Sequence, residues 1–247
     1  MDERSIEASP RTLARIGGFL YLIIIAVGLY GEVFIRERLV VSGDAAATAA
    51  NIRSMESLWR FGVAAELLLL TCAVVLTWIF FILLRPVSRD LALLATFFNL
   101  VSMALETAYT MYLLQALFPL GTGGYLKAFT PAQLDALTTL AAKSHGYGFG
   151  VSLIFFGWYC LIYGYLIWRS GYIPNVIGAL YQVAGLCYLI NSFALILSPD
   201  FAGRLYPAIL APAFVGEVSL CLYLLVRGVN VEKWRRSHSP AFAVESL

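Results

Sequence analysis

The run FGVAAELLLLTCAVVLTWIFFILL, residues 61–84, holds one charged side chain, Glu66, in an otherwise apolar string. About 20 apolar residues are enough to cross the hydrocarbon core of a bilayer. Within that core every backbone amide has to be bonded inside its own segment, so a run of this length is a helix. The same string raises a second question. A carboxylate near mid-bilayer costs at least about 2.5–3.5 kcal/mol on insertion scales, so Glu66 needs a reason to be there.

Five further runs read the same way, at 15–36, 91–118, 146–168, 176–197 and 206–227. The whole chain agrees with them. Of its 247 residues 60% are hydrophobic and 13% charged, with a mean hydropathy of +0.80, where a soluble domain carries about 45–50% apolar and roughly 25% charged residues. The expected fold is an all-α integral membrane protein, a bundle of six transmembrane helices with two short helices in its outer loops. A single domain should span 15–228 between a cytoplasmic segment at 1–14 and a cytoplasmic tail at 229–247. The first run has a basic lead-in, but its apolar core is longer than the roughly 7–15 residues of a signal peptide, so it reads as an anchor. The net charge of +2, with no basic run longer than KWRR, argues against a nucleic-acid partner. Cys72, Cys160, Cys187 and Cys221 lie in apolar runs without paired spacing and read as buried thiols.

Orientation follows from the basic residues. With the N-terminus inside, ten of the 17 fall on inner segments and seven on outer ones, which fits the positive-inside rule. Both termini are then cytoplasmic and the protein sits in the inner membrane. Asp44 in SGDAAATAANIRSMESLW is placed to cap a first outer helix. Thr130 and Pro131 in FTPAQLDALTTLAAKSHG are placed to start a second, lying on the membrane surface. That second helix is expected to end at Lys143 and Ser144, where KSHGYGFGVSLIFFGWYC (143–160) opens the fourth span with His145 at the water–lipid boundary. Gly146, Gly148 and Gly150 there allow a turn into the membrane or close backbone packing.

Besides Glu66, the spans carry Glu32, Glu106 and Glu217, with His145 and Asn191 at similar depth. At about 1.5 Å per residue, Glu66 lies about 8–9 Å from the outer end of its run and Glu106 about 22 Å from its inner end. Residues spaced i, i+3/i+4 and i+7 share a helix face, and these acids share faces with small and polar residues: Gly62 with Glu66, Ser102 with Glu106 and Thr110, His145 with Ser152 and Tyr159. The expectation is an outward-facing polar pocket lined by Glu32, Glu66, Glu106, His145, Ser152, Asn191 and Glu217, binding or moving a small molecule, proton or cation. Two alternatives stay open. Glu66, Glu106, His145 and Glu217 are donors suited to a divalent Zn, Mn or Fe, as in a membrane-embedded enzyme acting on a lipid or apolar substrate, although no HExxH or EExxH spacing occurs. The acids could also be hydrogen-bonded locks between helices, with a purely structural role. No catalytic triad, phosphate loop or dinucleotide fingerprint is present.

Five strings together, RTLARIGGFLYLIIIAVG (11–28), LVVSGDAAATAANI (39–52), LLRPVSRDLALLA (83–95), HGYGFGVSLIFFGWYCLIYGYLIWRSGYIPNVIG (145–178) and PAFVGEVSLCLYLLVRGV (212–229), resemble the prokaryotic multi-pass membrane family catalogued as domain of unknown function 4386. The resemblance runs from about Arg11 to Val229. It implies a stand-alone domain in a bacterial or archaeal cytoplasmic membrane, with counterparts of Gly43-Asp44, Arg85-Pro86, His145 to Gly148, Ser170-Gly171 and Glu217 as recurring elements. It implies no activity.

Overall fold

The computed structural model describes residues 9–237. The expected cytoplasmic placements of Arg4 and His238, and of the rest of 1–8 and 238–247, lie outside the described residues. Among those residues every regular element is a helix. In chain order they are α1 Pro10–Leu39, α2 Ala45–Ser54, α3 Glu56–Leu84, α4 Arg89–Gln115, α5 Pro131–Ser170, α6 Asn175–Leu197, α7 Pro199–Leu205, α8 Leu210–Val226 and α9 Val231–Arg236. Two short 3₁₀ turns, Phe118–Leu120 and Gly124–Ala128, link α4 to α5.

Five helices, α1, α3, α4, α5 and α6, are long and apolar enough to cross a membrane, and a sixth is counted if α7 and α8 form one span bent by 55°. The sixth run, expected at 206–227, is helical only from Leu210, and it is counted as a span only together with α7 before the break. Pro207 lies in the break, and a proline supplies no amide proton to a helix interior and clashes with the turn before it. The second correction concerns residues 130–168. The expected surface helix and the fourth span are one continuous 40-residue helix, α5, so Lys143 and Ser144 do not end a helix and His145 does not begin one. Each helical glycine costs about 1 kcal/mol relative to alanine, but Gly146, Gly148 and Gly150 keep their amide protons and leave the hydrogen-bond ladder intact. In α1, Gly31–Arg36 is wound as a π-helix, which the apolar pattern did not announce.

The first loop helix, α2, forms with the expected Asp44 cap. Ala47 N–H donates to Asp44 Oδ1 at 2.8 Å, and Val41 N–H donates to Thr48 Oγ1 at 2.9 Å, fastening the loop onto α2. We expect Asp44→Ala to cost about 0.5–2 kcal/mol and to raise hydrogen exchange at the amides of Ala46 and Ala47; unchanged exchange there would show that the cap contributes nothing. At the start of α5, Thr130 N–H donates to Gln133 Oε1 at 2.8 Å and Gln133 N–H reaches back to Thr130 Oγ1 at 3.4 Å, a reciprocal cap.

The chain divides into two compact units. One takes the described parts of 1–23, 72–102 and 153–247; the other takes 24–71 and 103–152. In the first, α5 and α6 touch through glycines. A Cβ added at Gly178 would stand 2.6 Å from the Gly164 carbonyl oxygen and 2.7 Å from the Trp168 nitrogen, so the two backbones are in direct contact, as small residues permit. Tyr21, Tyr159, Tyr163 and Tyr181 are buried beside them, with Tyr21 and Tyr181 hydroxyls 3.3 Å apart. Cys160, Cys187 and Cys221 are buried free thiols and Cys72 is half-buried, as expected. In the second unit, Ile35, Leu39, Ile52, Trp59, Val63 and Leu113 form an apolar core, pinned by the Trp59 indole N–H donating to the Leu113 carbonyl at 2.7 Å.

Candidate functional site

Glu66 stands in the first part of α3, 7% exposed, and both its oxygens are engaged. Oε2 accepts from Arg36 Nη1 at 2.6 Å. Oε1 accepts from Thr110 Oγ1 at 3.0 Å and meets His145 Nε2 at 2.9 Å. Donors on α1, α4 and α5 thus converge on one carboxylate of α3, all within the second unit. With Glu66 ionised, Nε2 of His145 carries the proton, because a carboxylate only accepts. His145 is itself 4% exposed, and hydrogen bonds to a charged partner are about twice as strong as neutral ones.

Arg36 bridges outward. Its Nε donates to Glu32 Oε2 at 2.6 Å, and Glu32 has 43% of its side chain exposed. Both lie in the π-helical segment of α1, a winding often found at functional sites. Thr110 also lies 2.9 Å from the Glu106 carbonyl, so its one hydroxyl proton serves either that carbonyl or Glu66. The Glu106 carboxyl, half-buried one turn earlier on α4, is close enough to Glu66 and Arg36 to feel their charges. Among the described residues its side chain makes no hydrogen bond.

Of the glycines beside His145, Gly148 has its explanation in Tyr109. A Cβ at Gly148 would fall 1.9 Å from Tyr109 Cγ, so the ring lies flat against the bare α-carbon of α5. That contact brings α4 near enough for Thr110 and His145 to share one carboxylate.

Of the seven residues expected to line a pocket, the structure joins Glu66 with His145 directly and Glu32 through Arg36, and sets Glu106 beside them. Ser152, buried further along α5, donates to the Phe149 carbonyl at 2.8 Å. Glu217 and Asn191 belong to the other unit. There Tyr188 Oη donates to Glu217 Oε1 at 2.5 Å, while Asn191 is half-buried on α6. Arg36 and Thr110 were missed as site residues. Arg36 reads as a loop charge, and its one available signal was its i,i+4 spacing from Glu32. The space beside Arg36, lined by Gly31, Ile35, Trp59, Gly62, Val63 and Leu113, is about 10 Å³, enough for about one water.

Of the four candidate metal donors, Glu66, Glu106 and His145 lie in the second unit and Glu217 in the first, and the guanidinium of Arg36 supplies the positive charge that a metal would bring to Glu66. Among the described residues no three His, Cys, Asp or Glu side chains converge as a metal requires.

The family model described as Domain of unknown function (DUF4386) matches residues 16–228. An "Uncharacterized protein" of Archaeoglobus fulgidus is 26% identical over 150 residues, covering 60% of this chain and 72% of that protein. No solved structure matches the chain.

Proposed function

We propose, from the premise that this chain belongs to the DUF4386 family, that it is a multi-pass protein of the cytoplasmic membrane that takes up and releases a proton at the Glu66 cluster. Both termini lie inside. The membrane reading is supported by five apolar helices of spanning length and by the bent pair as the sixth. At 1.5 Å per residue α5 is about 60 Å long, so part of it extends beyond a hydrocarbon core of about 30 Å. The ten-to-seven distribution of basic residues supports the orientation.

The observation that carries the proton reading is the charge composition around Arg36. Glu32, Glu66 and Glu106 bring three carboxyls to one guanidinium and one imidazole. With Arg36 always charged, the group is neutral only when two protons are shared among His145 and the three acids. Fewer leave net negative charge in a poorly solvated site, which is costly. A lock between helices needs one carboxylate for one cation; this cluster has more acids than it can pair, and they are the groups a proton or a small cation can occupy. Intramembrane acids and histidines are the usual material of proton relays.

Two measurements test this. Cysteine placed at Lys143 is expected to react with an impermeant maleimide from outside the cell, and cysteine at Arg235 only after lysis; the reverse pattern would overturn the orientation. In proteoliposomes loaded with a pH-sensitive dye, the protein is expected to speed equilibration of an imposed pH step several-fold over empty vesicles, and Glu106→Gln to remove most of that gain. Equilibration no faster than in empty vesicles would sink the transfer reading.

A further inference from the structure

We infer that the cationic end of the first unit is a docking surface for the phosphate headgroups of anionic phospholipids. This rests on the membrane reading above and adds a lipid class and a place. Nine basic side chains, Arg11, Arg15, Arg85, Arg89, Arg169, Arg227, Lys233, Arg235 and Arg236, are all exposed there, against two acids, Asp90 and Glu232. They come from segments far apart in sequence that hydrogen bonds draw together. Arg11 Nε donates to the Arg227 carbonyl at 3.3 Å, and Arg15 Nη2 to that of Val226 at 3.1 Å. Tyr172 Oη and Trp234 Nε1 both donate to the Leu83 carbonyl, at 2.6 and 3.1 Å, and Asn230 N–H donates to the Tyr172 carbonyl at 3.2 Å. The start of α1, the α3–α4 turn, the α5–α6 turn and the link from α8 to α9 therefore share one end.

On α9 the buried Trp234 faces the protein while Lys233, Arg235 and Arg236 face out. Arg236 is partly offset by its ion pair with Glu232; among the described residues Lys233 and Arg235 have no such partner. Strings of basic residues immediately beyond a membrane span attract anionic lipid, and arginine matches a phosphate oxygen pair with two parallel hydrogen bonds. Arg11 and Arg15 stay exposed while they make these contacts at the end of α8. Free phosphate offers the same oxygens, but the surface adjoins the ends of apolar helices, where a phosphate is carried by a lipid.

The test is native mass spectrometry and thermal denaturation of the full chain in detergent supplemented with phosphatidylglycerol, phosphatidylcholine or water-soluble glycerol 3-phosphate. Phosphatidylglycerol is expected to bind at least about tenfold more tightly than phosphatidylcholine. The double variant Lys233→Glu/Arg235→Glu, at two exposed positions, is expected to lose that preference while keeping its melting temperature in phosphatidylcholine. Equal binding of the two lipids, or an unchanged preference in the double variant, would overturn the proposal, as would glycerol 3-phosphate competing as well as the lipid. Extraction of the protein from cell membranes by alkaline carbonate would instead remove the membrane reading itself, so the two failures are distinguishable.

Discussion

Glu66→Ala is expected to destabilise the protein by about 3–5 kcal/mol, the usual consequence of removing one partner from a buried ion pair. The substitution strips the acceptor from three donors at once. Arg36 keeps only the half-exposed Glu32, His145 is left inside α5 at 4% exposure with no carboxylate, and Thr110 falls back on the Glu106 carbonyl. Glu66→Gln separates the contributions. Its remaining carbonyl oxygen can still accept from Thr110 and His145, so it should lose less than the alanine variant, chiefly the pairing with Arg36. Thermal denaturation in detergent, followed by tryptophan fluorescence, reads both. An alanine variant within about 1 kcal/mol of the parent would mean that the four-helix convergence contributes little. Of the partners, Thr110→Val removes one neutral-to-charged hydrogen bond without changing shape and should cost about 1.5–3 kcal/mol.

Gly178→Val is expected to be at least as damaging, about 3 kcal/mol or more, and by a different route. Overpacking a core typically costs 1–3 kcal/mol because side chains can move aside. Here the atoms that an added Cβ meets, at 2.6 and 2.7 Å, are backbone atoms of Gly164 and Trp168. Only separation of α5 from α6 relieves the contact, which takes the close packing of the whole crossing with it. Gly146→Val, on α5, is the control, because an added Cβ there meets nothing within 4 Å and changes only helix propensity. Yield of monodisperse protein and melting temperature should fall sharply for Gly178→Val and modestly at most for Gly146→Val. Equal behaviour would remove the close-contact account.

The sequence made the helices legible because uninterrupted apolar length admits no other reading, and the faces followed from their period. Glu66 and His145 were placed together in one seven-residue pocket on those grounds, Glu66 as the one acid of its apolar run and His145 as the histidine at similar depth. The breaks were less legible. KSHGYGFG looks like a hinge because glycines mark turns in water, yet a glycine removes no backbone hydrogen bond, and Tyr109 fills the space that Gly148 leaves. Pro207 reads as a run end, and it does stand just before α8, in the break that parts α8 from α7. Arg36 was hidden by the π-helix of Gly31–Arg36: one extra residue in the turn shifts every later side chain off the face that a 3.6-residue period assigns. Glu217 lay at similar apparent depth to Glu66, but depth along a helix does not say which neighbour it faces. Its partner proved to be Tyr188, one of many tyrosines with no distinguishing spacing.

The central claim, that the acids around Arg36 share exchangeable protons with His145, is tested most directly by counting protons. Detergent-purified protein in weak buffer is stepped from pH 8 to pH 6 and the uptake read with an indicator dye. An isolated glutamate titrates near 4.3, outside that window, whereas an isolated histidine titrates near 6.5, inside it. If the cluster titrates as a unit, Glu66→Gln and Glu106→Gln each change the uptake by a substantial fraction of a proton per chain, although neither removes a group that would titrate there alone. Uptake identical to the parent in both variants would contradict the account and leave Glu66 as a lock between helices.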